Sequence, residues 1–72
     1  MLDLYEDMFR QVFKHCLNDL KNNNKEGHIF TVFLNDMDET YLNSTTDERK
    51  VIDYIAGMTD DFMVKEYNSI VD

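Results

Sequence analysis

Apolar residues recur at alternating steps of three and four along the first third of the chain: Tyr5, Met8, Phe9, Val12, Phe13, Cys16, Leu17 and Leu20. That spacing lays them on one stripe of an α-helix, with Glu6, Asp7, Gln11, Lys14, Asn18 and Lys21 elsewhere. Asp3 suits the helix start through capping or the dipole. The run Asn22–Gly27 ends the helix, because Asn and Gly tolerate the left-handed conformation. The first predicted helix therefore covers about residues 3–22. A second apolar segment holds Ile29, Phe30, Val32, Phe33, Leu34 and Met37. Its residue types also favour a strand. The 30, 33, 34, 37, 41 spacing fits a helix better, and a lone strand would find no partner, so a helix is predicted over 28–37. Tyr41 and Leu42 fall in a looser connection through Asn43–Thr46. Thr45 with Glu48 has the form of a capping box, and Thr46 is the competing cap. Val51, Ile52, Ile55 and Met58 then give a short stripe, predicting a helix over 46–57. Gly57 marks an end or kink, and Thr59 with Asp60 and Asp61 reads as a new N-terminus. Phe62, Met63, Tyr67, Ile70 and Val71 carry a last helix over 59–71. The expected fold is all-α, three to four helices in a small bundle forming a single unit over residues 1–72.

Composition narrows the function classes without choosing one. Seventy-two residues allow one compact unit, and the absence of proline with only two glycines agrees with helices. One cysteine excludes an internal disulfide framework. The net charge of −8 is uneven, −2 over residues 1–36 and −6 over 37–72. An acidic surface repels phosphate backbones, so no nucleic-acid partner is expected. No apolar run is long enough to span a membrane, and residues 1–6 lack the basic and apolar regions of a signal peptide. A cytoplasmic location is expected.

Candidate chemistry is sparse. His15 and Cys16 are neighbours, and neighbours on a helix do not face each other, which leaves a packed Cys beside a surface His. Asp36, Asp38 and Glu39 begin an acidic run, but Tyr41 stands where a calcium loop needs glycine. Without secretion the sequon Asn43-Ser44-Thr45 means nothing. His28 has no second ligand at sequence spacing and reads as a surface residue. No metal site and no catalytic residue are assigned. Taken alone, the residues favour an interaction or structural module.

The segment Asp53-Tyr54-Ile55-Ala56-Gly57-Met58-Thr59-Asp60 adds a family. It resembles the DYIAGMTD signature near the C-terminus of bacterial dGTPase-like deoxynucleoside triphosphate triphosphohydrolases, a branch of the HD-domain phosphohydrolases. Arg49, Phe62 and the tail Val64-Lys65-Glu66-Tyr67 also fit that pattern. The resemblance implies a helical core elsewhere whose His, His-Asp and Asp ligands hold one divalent metal that activates water. This chain has no His-Asp dipeptide and only two histidines. It therefore looks like a C-terminal piece that supports the HD core and its oligomer, and it is expected to be inactive alone. The alternative is a free-standing acidic helical module that binds a protein partner. Within the signature, Asp53, Tyr54 and Asp60 are the nucleotide-binding or interface candidates. The two aspartates suit a ribose hydroxyl, a basic side chain or the amides of a helix start, and Tyr54 suits stacking or plain packing. Gly57 and Thr59 are read as structural, Gly57 as a close approach or kink that resists added bulk. So many apolar residues exceed what a small core encloses, so self-association as a dimer is expected beside docking on the HD core.

Overall fold

The computed structural model describes residues 4–71 and is all-α. Four α-helices follow one another: α1 (Leu4–Lys21), α2 (Glu39–Ser44), α3 (Asp47–Ala56) and α4 (Asp60–Val71). Helices α3 and α4 both lie against α1. Their buried side chains, Val12 and Cys16 from α1, Val51, Tyr54 and Ile55 from α3, and Met63 from α4, close around Ile29, Phe30 and Leu34. Each fully enclosed aliphatic chain here contributes roughly 1.5–3 kcal/mol relative to exposure. The stripe of α1 packs along most of its length, Met8, Phe13, Leu17 and Leu20 lying partly buried against the core. Val12 and Cys16 are buried, whereas Tyr5 and Phe9 remain exposed near its start, along with Leu4. The expected cap at Asp3 lies outside the described residues.

The end of α1 follows the asparagine run as expected. Asn23 adopts φ 53°, the left-handed region. Its N–H donates to the Leu20 carbonyl at 3.1 Å, and the Asn24 N–H donates to that of Asp19 at 2.9 Å. These two bonds are the Schellman arrangement, which satisfies carbonyls the helix would otherwise leave open. Lys21, in the last turn, reaches Asp47 at 3.3 Å and Glu48 at 3.7 Å in the first turn of α3. The charges complement both helix dipoles, but in solvent such pairs add less than about 1 kcal/mol.

The regular helix expected over 28–37 is not what forms. Residues Ile29–Phe33 make one wide π-helical turn, followed by a tight 3₁₀ turn over Leu34–Asp36. The Leu34 N–H donates to the carbonyls of both Ile29 and Phe30. Apolar residues here outnumber one α-helical stripe. The widened turn sends Ile29, Phe30 and Leu34 to the core, leaves Val32 48% exposed and turns Phe33 towards Tyr54. A second correction concerns Tyr41 and Leu42. They belong to α2 rather than to a loose connection, because the Asp38 carboxylate accepts the Tyr41 N–H at 2.8 Å and caps that helix. Of the two competing threonines, Thr46 caps α3, accepting the Arg49 N–H at 3.2 Å, while Thr45 stays extended at the end of α2. Thr59 caps α4 through the Phe62 N–H at 3.1 Å, as expected.

Gly57 ends α3 with φ −86°. A Cβ there would meet only the carbonyls of Tyr54 and Asp53, at 3.7 and 3.8 Å, which is ordinary contact. The close approach expected at Gly57 belongs to Gly27 instead, where a Cβ would stand 2.4 Å from Asp19 Oδ2.

Candidate functional site

Two of the concavities on this scaffold bear on function. One is an apolar groove of about 230 Å³ lined by Val32, Phe33, Asp53, Tyr54, Gly57, Met58, Thr59 and Phe62. Five of these residues fall in the stretch Asp53–Asp60. The α3–Gly57–α4 turn presents them, and the wide turn at Ile29–Phe33 supplies the opposite wall. Aromatic rings continue one into the next along it. Phe33 meets Tyr41 edge-on at 6.2 Å and Tyr54 at 5.7 Å, and Tyr54 meets Phe62 edge-on at 6.3 Å. Such contacts fix the wall beyond what burial alone supplies.

Asp53 is already engaged at the groove's edge. Its Oδ2 accepts the Tyr41 hydroxyl at 2.7 Å, and its Oδ1 pairs with Arg49 Nε at 3.0 Å. Desolvation, then this bond and the Asp53 charge, push the Tyr41 phenol up to about 12. Asp53 therefore ties α2 to α3. Tyr54 is buried, and burial followed by the charge of Glu66 raises its pKa. The Tyr54 hydroxyl itself has no hydrogen-bond partner. Asp60 is exposed as the first residue of α4, where a negative charge favours the helix dipole. The structure thus gathers Asp53, Tyr54, Gly57 and Thr59 into one groove and leaves Asp60 outside its lining.

The second concavity, about 380 Å³, is polar and carries none of the sequence-predicted site residues. His15, Cys16, Asp19, Asn24, Glu26, Gly27, His28, Ile29, Glu66 and Ser69 line it. Of its three acids, Glu26 is exposed, while Asp19 at 4% exposure and Glu66 at 5% are almost completely enclosed. Each of the enclosed pair meets one half-exposed histidine. His15 Nε2 stands 3.4 Å from Asp19 Oδ2, and His28 Nδ1 bonds Glu66 Oε1. Asn24, held by the Schellman turn, donates to Asp19 Oδ1 at 3.1 Å. Cys16 packs in the floor, and burial, then Glu66 and Asp19, push its thiol up to about 12. That is an inert thiol rather than a nucleophile.

Sequence reasoning passed over both enclosed acids, although a signal exists. Asp19 continues the Val12, Cys16 register of α1, and Glu66 stands three residues after Met63 on α4. A charge in a core register announces a buried partner. His28 is exposed, as expected of a surface residue, but sequence spacing could not show its partner, a carboxylate that arrives from 38 residues away. Even so, no three His, Cys, Asp or Glu side chains among the described residues converge as a metal would need. No described helix is long and apolar enough to cross a membrane.

The model of the phosphohydrolase-associated domain matches residues 4–69. The chain belongs to that family. Comparison with curated proteins and with solved structures gives no match. The match spans the entire described bundle but its last two residues, so the polar pocket and the signature groove are both parts of a phosphohydrolase-associated domain. The family ties the chain to HD-superfamily phosphohydrolases and to association with their cores.

Proposed function

We propose that the chain is the C-terminal helical support of a dGTPase-like deoxynucleoside triphosphate triphosphohydrolase and docks on the HD core through the signature groove. The observation that carries this reading is where the signature sits. Asp53, Tyr54, Gly57, Met58 and Thr59 are not dispersed through the interior but line one open apolar groove. An exposed apolar groove walled by rigid aromatic rings suits the anchor residues of a protein interface. The metal and the water it activates belong to the core in this reading, which agrees with the ligand geometry of this chain. Asp53, bound to Tyr41 and Arg49, then acts as an interface strut, and Tyr54 as part of the groove wall. Without its core, the exposed start of α1 (Leu4, Tyr5 and Phe9) and the groove favour pairing of two copies.

The test is binding of the 72-residue protein to an HD-type dNTP triphosphohydrolase core from which the matching C-terminal segment has been removed, measured by calorimetry. Val32→Asp puts a charge on the exposed groove wall without touching the core. It is expected to weaken binding by more than about tenfold, a loss of about 1.4 kcal/mol, with an unchanged melting temperature. Equal binding by the variant, or none by the wild type, would overturn the reading. The protein alone, with dGTP and manganese, is expected to release no triphosphate above a chelated control.

A further inference from the structure

We propose that the polar pocket between α1 and α4 is a receptor for a guanidinium group, the side chain of an arginine carried by a protein partner. The inference goes beyond groove docking and requires no assignment of the nucleotide.

Two carboxylates, both more than nine-tenths buried, line one cavity. Asp19 uses Oδ1 to accept from Asn24, but its Oδ2 accepts no hydrogen bond. The nearest side-chain nitrogen that could pair with it is His15 Nε2 at 3.4 Å, on a side chain 47% exposed. A buried acceptor left unmatched is costly, on the order of 1–3 kcal/mol, and more for a charged oxygen. Gly27 matters to the same atom. A Cβ at position 27 would stand 2.4 Å from Oδ2, so only a residue without one fits there. The loop therefore roofs Asp19 closely, which leaves the half-exposed His15 as the solvent side of Oδ2.

The ligand's chemistry follows from what lines the cavity. Two carboxylates exclude an anion. A metal ion would need three converging ligands, which the described residues do not provide. A cation with several N–H donors remains. Between ammonium and guanidinium, the latter is less strongly hydrated and presents a planar fork matched to carboxylate oxygens. It thus loses less on entering a half-enclosed cavity and matches Asp19 Oδ2 while leaving Asn24 in place. Free arginine carries its own carboxylate, which Glu26 in the pocket lining and a net charge of −8 repel. A side chain borne by a protein avoids that repulsion.

The test is a titration of the 72-residue protein with N-acetyl-arginine methylamide, followed through backbone amide NMR shifts at constant ionic strength. The lysine analogue and free arginine serve as comparisons. Saturable shifts at Asn24, Gly27 and Ser69 are expected, with a dissociation constant in the millimolar range and Val32 and Met58 unmoved. The lysine analogue is expected to bind about tenfold more weakly, and free arginine more weakly than the capped probe. Asp19→Asn, which keeps the shape and removes the charge, is expected to abolish the shifts. If that variant fails to fold, Glu66→Gln and the arginine–lysine discrimination of the wild type carry the same decision. Tighter binding of free arginine would assign the pocket to a small guanidino compound and overturn the partner. No saturable shift, or equal response to lysine, would overturn the site. Because Val32→Asp tests the groove separately, either reading can fail alone.

Discussion

The signature groove and the polar pocket lie on the same bundle but are built by opposite means. The groove takes most of its lining from one continuous stretch, Asp53–Phe62, with Val32 and Phe33 opposite. The pocket is assembled from side chains that are remote in sequence, His28 and Glu66 being 38 residues apart. Most of the groove wall is aromatic rings, Val32 and the Met58 thioether, which need only apolar neighbours, so the groove stands open to a partner. Pocket residues are charges that must find each other before they can be buried at all. A linear motif can announce the first kind of site. The second exists only once α1, the loop after it and α4 have packed.

Alkaline pH separates the two regions by the largest expected effect. Cys16 in the pocket rises from 9.0, and Tyr41 beside the groove from 10.0, each to about 12. Burial raises both, so the folded protein holds these protons more tightly than the unfolded chain. Stability is thus undiminished below about pH 9 and falls as pH climbs from there towards 12. For the enclosed thiol the loss is on the order of a few kcal/mol, while exposure to solvent reduces that of Tyr41. Denaturant melts across this range are the measurement. Cys16→Ala is expected to remove the part of the slope that begins near pH 9 and leave the tyrosine part. An unchanged slope in that variant would mean that the pocket floor is wetter than the structure places it.

The two glycines sharpen the same contrast. Gly27→Ala drives a methyl group into Asp19 Oδ2 and towards the Asn24 carbonyl at 3.2 Å, costing roughly 1–3 kcal/mol. Gly57→Ala adds a methyl in ordinary contact on the groove side, and its effect should stay within about 0.5 kcal/mol. Thermal melts of the pair decide it, and an equal loss from both would show that the α3–α4 turn is tighter than described. Between these values fall the caps. Thr46→Ala and Thr59→Ala each remove one bond to an open amide and should cost about 1 kcal/mol, measured in the same melts.

Helix positions were legible because their signals are local. The α1 stripe, the Asn–Gly stop and the Thr59 cap each depend on residues within one or two turns. Reading Ile29–Asp36 as one α-helix failed because spacing counts apolar residues and cannot say whether they serve one face or two. The wide turn is the answer to serving both core and groove. Tyr41 escaped notice as a helix residue for a related reason, since α2 is six residues long and owes its start to the single cap at Asp38. At the candidate sites, the motif pointed to the groove and gave no sign of the pocket. Its acids are written in the chain only as misplaced charges, Asp19 after Cys16 and Glu66 after Met63.

The one expected effect with no loss of stability comes from Tyr54, whose ring lines the groove and whose charge neighbours include Glu66 of the pocket. Its ring forms part of the groove wall between Phe33 and Phe62, and its hydroxyl lies buried near Glu66 with no hydrogen-bond partner. The hydroxyl was desolvated on folding and faces Glu66 without a well-formed hydrogen bond, so removing it relieves more than it breaks. Tyr54→Phe keeps the ring, its stacking and its volume. It should leave stability unchanged or raise it by up to about 1 kcal/mol. The same change removes a neighbour of Glu66 without altering its bond to His28, so arginine-probe binding at the pocket should persist. Urea denaturation of Tyr54→Phe against wild type is the measurement. A loss of stability would show that the hydroxyl bonds Glu66 in solution, making the wall of the groove a working part of the pocket.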